Sequence, residues 1–381
     1  MARRKVRFGV IGLGLMGKEF GSAAARWCHL LSEGPVPEVY GICDANPAAF
    51  GWFRDNFPSV KIATQSYQDL LASRDIEAIY CAVPHNLHEK LYVDIIRAGK
   101  HLMGEKPFGI DRQANAAILR AVQENPKVLV RCCSEFPYFP AAQRLTGWIR
   151  EKKFGRILEV RAGFHHSSDM DVTKPINWKR MVEVNGEYGC MGDLGIHTQH
   201  IPFRSGWTPR TVYAALSKVV SERPDGKGGV APCLTWDNAV LSCEVAYDGY
   251  SFPMVLETKR MAPGATNTWF LEVDGLAASA RFSTAEPKSF FYCETRGKEQ
   301  AWSRVDLGYA SAVPAITGGI FEFGFPDAIQ QMWAVFLQEL AGEKPAFGTF
   351  TPEETRLSHA LQTSALTSHK NESVEKVALH K

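Results

Sequence analysis

Short apolar runs alternate with helix-like stretches over the first third of the chain. The apolar runs, which are rich in β-branched residues, fall at residues 6–12, 38–43, 78–83 and 127–131. Runs of this kind are expected of strands that are buried on both faces of a parallel sheet. Residues 18–31 and 89–99 lie between such runs and have compositions typical of helices. The alternation predicts a doubly wound α/β domain over residues 1–132.

After residue 133 the pattern changes from βα alternation to a succession of strands. The strand-like stretches are residues 157–164, 211–216, 239–246, 254–258, 269–273, 279–282 and 290–294. Several of them alternate apolar and polar residues, as in a sheet whose two faces differ. Helices are predicted at 325–340 and 352–368. We therefore expect an α+β domain over residues 133–381 with a large, mostly antiparallel sheet, whose last helices can pack back on the first domain.

A glycine-rich turn follows the first predicted strand and opens the first predicted helix. It reads Gly12-x-Gly14-x-x-Gly17, which is the spacing and context of a Rossmann dinucleotide-binding turn. In such a turn the helix N-terminus receives the pyrophosphate. Asp44 ends the second predicted strand, where a carboxylate can bind the ribose hydroxyls and repel a 2′-phosphate. The turn and Asp44 favour NAD over NADP, although Asp44 could also be a solvated loop residue.

Two further polar motifs follow predicted strands of the first domain. Pro84-His85-Asn86-Leu87-His88 comes after the strand at 78–83, and Glu105-Lys106-Pro107 comes after residues 101–103. In open α/β sheets, ligands bind beyond the C-terminal ends of the strands. Both motifs and Asp44 are therefore expected at one edge of the sheet.

Composition narrows the class of protein. The chain has 381 residues, of which 45% are hydrophobic and 22% charged, with a formal net charge of +2, so two folded domains are expected. No long Lys/Arg run appears, which argues against nucleic acid or a membrane surface as the partner. The nine cysteines form no Cys-x-x-Cys pair and are predicted to be buried free thiols. We expect a cytoplasmic protein without a membrane span or a metal site.

The ordered motifs resemble the Gfo/Idh/MocA family of oxidoreductases over nearly the whole chain. They are the glycine-rich turn, the 84–88 stretch, Glu105-Lys106-Pro107 and Gly189-Cys-Met-Gly-Asp193-Leu-Gly195-Ile-His197. The resemblance implies a two-domain oxidoreductase that uses NAD or NADP on sugars, polyols or their derivatives. It implies cofactor contacts at Gly12, Gly14, Leu15, Met16, Gly17, Asp44, Pro84, His85, Asn86, His88, Glu105 and Lys106.

By position, Lys106 resembles the family's catalytic lysine, and Asp193 and His197 match its Asp-x-Gly-x-His pair. A hydroxyl that loses hydride must also lose its proton, and His197 is the natural base. Lys106 could stabilise the alkoxide or share the proton, and the sequence does not separate the two roles. Asp193 can orient either group, and if the segment is helical it shares a face with His197.

Substrate contacts are predicted at Lys106, Tyr138, His165, Trp178, Arg180, Asp193 and His197, because aromatic and polar side chains together suit sugars. Core packing is the alternative for the aromatic residues. The function expected is hydride transfer between NAD and a secondary hydroxyl of a sugar, polyol or glycoside. A reductase of a non-sugar carbonyl or imine, and a non-catalytic NAD-binding regulator, remain open. A homo-oligomer through the second domain's sheet is expected by analogy of fold.

Overall fold

The structure is a computed structural model that describes residues 3–308 and 310–378. Its strands are, in chain order, β1 (Lys5–Ile11), β2 (Val36–Cys43), β3 (Ile62–Thr64), β4 (Ala78–Cys81), β5 (His101–Gly104), β6 (Val130–Cys132), β7 (Ile157–His165), β8 (Pro209–Ser217), β9 (Glu222–Pro224), β10 (Val230–Pro232), β11 (Asn238–Tyr247), β12 (Tyr250–Lys259), β13 (Thr268–Gly275), β14 (Ala278–Ser283), β15 (Ser289–Glu294), β16 (Ser303–Asp306) and β17 (Glu375–Lys376).

The α-helices alternate with these strands in the first part of the chain and are fewer in the second. They are α1 (Leu15–Ala25), α2 (Phe50–Asn56), α3 (Tyr67–Ala72), α4 (His88–Arg97), α5 (Arg112–Glu124), α6 (Pro140–Arg150), α7 (Val182–Asn185), α8 (Cys190–Arg204), α9 (Phe325–Leu340) and α10 (Pro352–Asn371).

Contacts divide the chain into two compact units. The first comprises the described residues of Met1–Gly109, Gln113–Tyr138 and Ala310–Pro352. The second comprises Ile110–Arg112, the described residues of Phe139–Tyr309, and the described residues of Glu353–Lys381. Along the chain, the main division between these units falls at 138/139, and the domain bounds 1–132 and 133–381 stay a prediction. Of the last two helices, α9 belongs to the first unit and α10 to the second.

The first unit is built on a six-stranded parallel sheet with the order β3-β2-β1-β4-β5-β6. This is the strand order of the doubly wound nucleotide-binding fold. Every residue of β4 is buried, as expected where helices cover both faces of a parallel sheet. The predicted α/β class of this domain is confirmed.

An aromatic cluster holds α1 and α9 against this sheet. The Trp333 ring of α9 lies 4.3 Å from the Phe20 ring of α1 and 4.9 Å from the Tyr80 ring of β4, centroid to centroid. Phe8 of β1 meets Trp333 edge-on at 5.7 Å. Each of these rings is at most 1% exposed. Burial of large rings in such offset and edge-on pairs favours folding, so a helix from late in the sequence completes the core of the first unit.

The second unit contains a nine-stranded sheet with the order β16-β15-β14-β13-β7-β12-β11-β8-β17. β7 and β12 are parallel, and the other neighbouring pairs are antiparallel, which confirms the mostly antiparallel α+β prediction. Buried and accessible residues alternate along β11, because α8 covers only one face of the sheet.

Helix α8 is the central element of this unit, and 14 of its 15 residues are buried. Its start requires Gly189, whose φ is +56° and whose Cβ position would lie 2.5 Å from the Trp236 backbone nitrogen. Among the described helices, none is long and apolar enough to cross a membrane.

Candidate functional site

The glycine-rich turn of the first unit has the geometry that a dinucleotide requires. Gly12 has φ +90°, and a Cβ there would lie 2.2 Å from the Ala82 carbonyl oxygen. A Cβ on Gly17 would lie 2.2 Å from the Gly12 carbonyl oxygen, so this glycine lets α1 pack closely on the turn. Gly14, by contrast, is exposed and has no described atom within 4 Å of its Cβ position. The turn is closed on the protein side and open on the side where a pyrophosphate would meet the helix N-terminus.

The Asp44 side chain is hydrogen-bonded to the backbone of that same turn. Its Oδ2 accepts a hydrogen bond from the Leu13 N–H at 2.8 Å, and its Oδ1 accepts one from the Asn46 N–H at 2.8 Å. The carboxylate is half-buried beside the turn, which is the place where a ribose-binding acid is expected in this fold. Of the predicted neighbours in the turn, Leu15 is 76% exposed and Met16 is half-buried.

The 84–88 stretch follows β4, and its two histidines point inward. The His88 Nδ1 accepts from the Gly109 N–H at 3.4 Å, and its Nε2 lies 3.0 Å from the Val83 carbonyl oxygen. A neutral ring with its proton on Nε2 satisfies both contacts. His85 is also buried, with its ring 5.5 Å from that of His88, whereas Asn86 is exposed and Pro84 half-buried. His88 therefore connects the end of β4 to the loop after β5, and its predicted cofactor contact stays a prediction.

Lys106 follows β5 in a region that contains two buried carboxyl groups, Glu105 and Glu135. Glu105 is 6% exposed, and its Oε1 accepts a 2.8 Å hydrogen bond from the Tyr80 hydroxyl. Glu135, which is 5% exposed, has its pKa raised to about 8 by burial and then by the Glu105 carboxylate, while Lys106 acts to lower it. The half-buried Lys106 ammonium thus belongs to a cluster of ionisable side chains at the C-terminal edge of the sheet.

In the second unit, Asp193 and His197 lie one turn apart in α8, as their spacing predicted for a helix. Gly195 between them lets α10 approach, since a Cβ there would lie 2.9 Å from the Gln362 side-chain nitrogen. That nitrogen donates to the Met191 carbonyl oxygen at 3.1 Å. The small residue of the Asp-x-Gly-x-His motif is therefore required by helix–helix packing.

The Asp193 carboxylate is held between two cations. Its Oδ2 lies 2.9 Å from the Lys179 Nζ and 3.2 Å from the Arg260 Nη2. Asp193 and Arg260 are each 2% exposed, whereas the Lys179 side chain is 40% exposed. Arg260 also donates to the Lys179 carbonyl oxygen at 3.0 Å. Two positively charged side chains thus contact one oxygen of the Asp193 carboxylate and favour its charged form.

His197 is fixed from two sides. The Trp269 indole N–H donates to its carbonyl oxygen at 2.8 Å, and the Phe164 ring meets the imidazole edge-on at 5.2 Å. His197 is 4% exposed. Its ring therefore lies on the α8-covered face of the sheet, beside the end of β7.

His165 lies on the other face of that sheet. Neighbouring residues of a strand point to opposite faces, so His165 points away from the face where Phe164 meets His197. Its ring packs against Phe270 at 5.3 Å, and its Nε2 lies 3.3 Å from Glu257. His165 and Lys259 hold the pKa of Glu257 down at about 2. His165 and His197 therefore lie on opposite faces of the sheet, and the predicted substrate contact of His165 stays a prediction.

The remaining predicted substrate residues lie in different surroundings. Arg180 is fully buried and forms ion pairs with Asp169 and Asp237. Tyr138 is fully buried in the first unit, with its ring edge-on to Phe347 at 6.1 Å. Trp178 is half-buried and is followed directly by the Lys179 that contacts Asp193. These contacts favour internal structural roles for Arg180 and Tyr138 and keep Trp178 as a candidate.

Sequence reasoning missed Arg260 and Glu135. Arg260 directly follows β12, and the parallel pairing of β12 with β7, which puts it at the same sheet end as Phe164, has no local sequence signal. Glu135 stands three residues after β6, and its position after a strand end was the one signal that could have identified it. Among the described residues, no group of three or more His, Cys, Asp or Glu side chains is arranged to hold a metal.

One family model matches the nucleotide-binding part of the chain. Residues 6–131 match the model of the Gfo/Idh/MocA oxidoreductase family with its NAD-binding Rossmann fold. Over that stretch the resemblance stated from the motifs is confirmed, and so is the NAD-binding Rossmann domain.

Two curated relatives and one solved structure show how far the likeness extends. Levoglucosan dehydrogenase of Pseudarthrobacter phenanthrenivorans is 27% identical over 59% of this chain, and inositol 2-dehydrogenase of Rhizobium meliloti is 28% identical over 57% of it. The matches span 57% and 60% of those two proteins. A structure of levoglucosan dehydrogenase in complex with NADH and L-sorbose superposes with a TM-score of 0.88 at 22% identity, covering 98% of this chain and 99% of that one. At this identity the superposition shows a shared fold.

Proposed function

We propose that this protein is an NAD-dependent oxidoreductase that transfers hydride between the nicotinamide and a secondary hydroxyl of a sugar, polyol or glycoside. The observation that carries the proposal is the combination of a nucleotide turn that is open at Gly14 with a lysine after β5 and an Asp–His pair on one face of α8. Each part alone is common, but the ordered set is that of a dehydrogenase.

The cofactor side of the proposed site consists of the turn, the N-terminus of α1 and Asp44. NAD, when bound, supplies the hydride acceptor. The first-turn N–H groups of α1 would face the pyrophosphate, and the Asp44 carboxylate would disfavour a 2′-phosphate by charge. No arginine follows Asp44 in the Ala45-Asn46 turn, which supports NAD over NADP.

Lys106 and His197 are the residues that act on the proton of the substrate hydroxyl. A hydroxyl that gives up hydride becomes a carbonyl only when its proton is taken by a base. His197 can accept it as a neutral imidazole, and the Lys106 ammonium can stabilise the alkoxide while the bond changes. Asp193, engaged by Lys179 and Arg260, holds its carboxylate in a fixed orientation to accept a substrate hydrogen bond.

The substrate class to test first is a cyclic polyol or anhydrosugar. The named relatives are a levoglucosan and an inositol dehydrogenase. The half-buried Trp178 beside Lys179 offers an aromatic surface next to a polar group, a pairing that suits the C–H and hydroxyl surfaces of a sugar.

The test is NAD reduction over a panel of levoglucosan, inositols, monosaccharides and alditols, followed by Lys106→Ala on the best substrate. We expect Lys106→Ala to lose about 10²-fold or more in kcat, the usual loss for an acid–base or oxyanion group, while NADH binding persists. Lys61→Ala, an exposed lysine of the same unit, is the matched control and should keep wild-type turnover.

Near-wild-type turnover of Lys106→Ala would remove the lysine from the chemistry. A folded protein that binds NADH and oxidises none of the panel, yet reduces non-sugar carbonyls or imines, would assign it to that other class of reductase. NADH binding without hydride transfer to or from any of these compounds would identify a nucleotide-binding regulator.

A further inference from the structure

A cavity of about 310 Å³ lies in the second unit at the end of the nine-stranded sheet remote from His197. Its walls include the turn before β7, the β11–β12 hairpin and the loop after α8. The side chains on which the inference depends are Lys152, Phe154, Arg156, Trp207, Tyr247 and Tyr250. Its volume is at the lower end of the range of about 300–1,000 Å³ typical of small-ligand pockets.

The cavity lies far from the candidate site, as positions along β7 and α8 show. β7 begins at Ile157 in the cavity wall and reaches the His197 ring only at Phe164, about 23 Å further along an extended strand. Likewise, Trp207 follows the C-terminal end of α8, whereas Asp193 and His197 lie in its N-terminal half. A ligand in the cavity would therefore not touch the residues assigned to catalysis.

Apolar and aromatic groups form the walls. Phe154 is 1% exposed, and the Trp207 and Tyr247 rings meet edge-on at 6.4 Å. Tyr247 and Tyr250 are half-buried and face one another edge-on at 6.2 Å. Walls of this composition favour a flat, apolar ligand body, because offset and edge-on ring contacts add to the burial of apolar area.

The polar groups on the walls are mostly donors. The Tyr250 hydroxyl accepts from the Ile157 N–H at 2.9 Å, so its own proton is available to donate. Arg156 lies 4.8 Å above the Tyr250 ring, and Lys152 stands at the exposed rim near Asp248.

We propose that this cavity is a binding site for a small aromatic carboxylate, distinct from the dehydrogenase site. The rings of Tyr247, Tyr250 and Phe154 take the apolar body. The Arg156 guanidinium and the donors on the walls take the carboxylate, since charge-assisted hydrogen bonds to carboxylates are stronger than neutral ones.

The test is calorimetric titration of the full chain with indole-3-acetate and with its neutral analogue indole-3-acetamide. We expect the acid to bind and the amide to bind about tenfold or more weakly, the effect of losing one charge-assisted hydrogen bond. Arg156→Gln and Tyr250→Phe should each weaken binding of the acid by a similar factor. Arg210→Gln, an exposed arginine of β8 outside the cavity, is the matched control and should bind as the wild type does.

Dehydrogenase turnover and thermal unfolding of each variant show whether it is folded, independently of ligand binding. Equal affinity for the acid and the amide overturns the carboxylate assignment. Wild-type affinity in folded Arg156→Gln and Tyr250→Phe overturns the site. No binding of either compound by the wild type, including the case in which a second copy of the chain covers the cavity, overturns the proposal as a whole.

Discussion

At the residue scale, two cations determine how the buried Asp193 carboxylate is held. A carboxylate that is 2% exposed would be costly to ionise alone, but Lys179 and Arg260 both reach its Oδ2. The two cations are not equivalent. Arg260 is buried and has several further acceptors, whereas Lys179 keeps 40% of its side chain exposed. Arg260 is therefore the structural partner, and Lys179 is the one that a substrate could approach.

This difference predicts unequal costs for removing each partner of Asp193. Arg260→Met leaves Asp193 with the half-exposed lysine alone and should lower the free energy of unfolding by about 3 kcal/mol, as for a broken buried ion pair. Lys179→Met removes a partly solvated pair and should cost about 1 kcal/mol or less. Urea unfolding measures both. Equal losses would contradict the assignment of Arg260 as the structural partner.

The raised pKa of Glu135 predicts how the stability of the folded chain depends on pH. Burial and Glu105 raise its pKa to about 8 from the ordinary 4.5, so between these values the folded chain retains a proton that the unfolded chain releases. The stabilisation that Glu135 contributes is fully present below its pKa of 4.5 in the unfolded chain. It is lost as the pH rises through its pKa of about 8 in the folded chain. Between these two pKa values the free energy of unfolding falls by up to about 1.4 kcal/mol for each pH unit.

Glu135→Gln removes this proton while keeping the shape of the side chain. The difference in unfolding free energy between this variant and the wild type should therefore grow in favour of the variant as pH rises from about 5 to 8. Urea unfolding at several pH values measures it, and subtraction cancels the other titrating groups. Parallel curves for the two proteins would show that Glu135 has an ordinary pKa.

How well single residues could be predicted from the sequence depended on how local their contacts are. Asp193 and His197 lie one helical turn apart, so their shared face could be read from spacing. Arg260 meets Asp193 across 67 positions of sequence, which no local pattern encodes. The opposite orientation of His165 and Phe164 could be read from the sequence, because adjacent residues of a strand point to opposite faces of the sheet.

At the scale of elements, the turn between β1 and α1 contains two glycines, Gly12 and Gly14, that are present for different reasons. Gly12 is required by the fold, because its φ is +90° and a Cβ would meet the Ala82 carbonyl oxygen at 2.2 Å. Gly14 has an ordinary backbone conformation and open space around its Cβ position among the described atoms. A glycine that the fold does not need is explained by a ligand that approaches the backbone closely.

Gly14→Ala should therefore leave thermal stability unchanged or slightly raised and weaken NADH binding by about tenfold or more, the effect of about 1.4 kcal/mol or more of lost contact. Gly12→Ala should lower both stability and NADH binding. Thermal unfolding and NADH titration by fluorescence give the two readouts separately. An undiminished NADH affinity in Gly14→Ala would mean that the cofactor does not lie against this turn.

The regular elements were largely predictable, and their assembly was not. Strands β1, β2, β4 and β7 match the apolar runs closely because burial imposes those runs. Helix α5 was missed in the description of the first domain, although it alternates with the strands on either side. The joining of α9 to the first unit depends on Trp333 meeting Phe20 and Tyr80, a contact across roughly three hundred residues that no periodicity reveals.

At the scale of the whole molecule, the two faces of the nine-stranded sheet differ, because α8 covers one of them and not the other. Arg161 of β7 lies on the face that α8 does not cover, with its guanidinium nitrogens 3.6 Å from a Glu257 oxygen and 3.3 Å from a Glu272 oxygen. The half-buried Phe270 lies over Gly163 on the same face. Aromatic residues and arginine are enriched at protein–protein interfaces, whereas glutamate is depleted there, so this face combines residue types that favour association with two that do not.

The expected homo-oligomer through this sheet can be tested by reversing one charge. Arg161→Glu places a third acid beside Glu257 and Glu272, and an interface on this face would then gather like charges from both copies, which costs affinity. We expect sedimentation velocity to show the wild type as an oligomer and Arg161→Glu as a smaller species. Salt should partly restore association, since screening weakens the repulsion. Arg304→Glu, on the edge strand β16, is the control and should keep the wild-type size, because its charge lies at the margin of the sheet. A monomeric wild type, or an Arg161→Glu variant of unchanged size, would remove this face as the site of association.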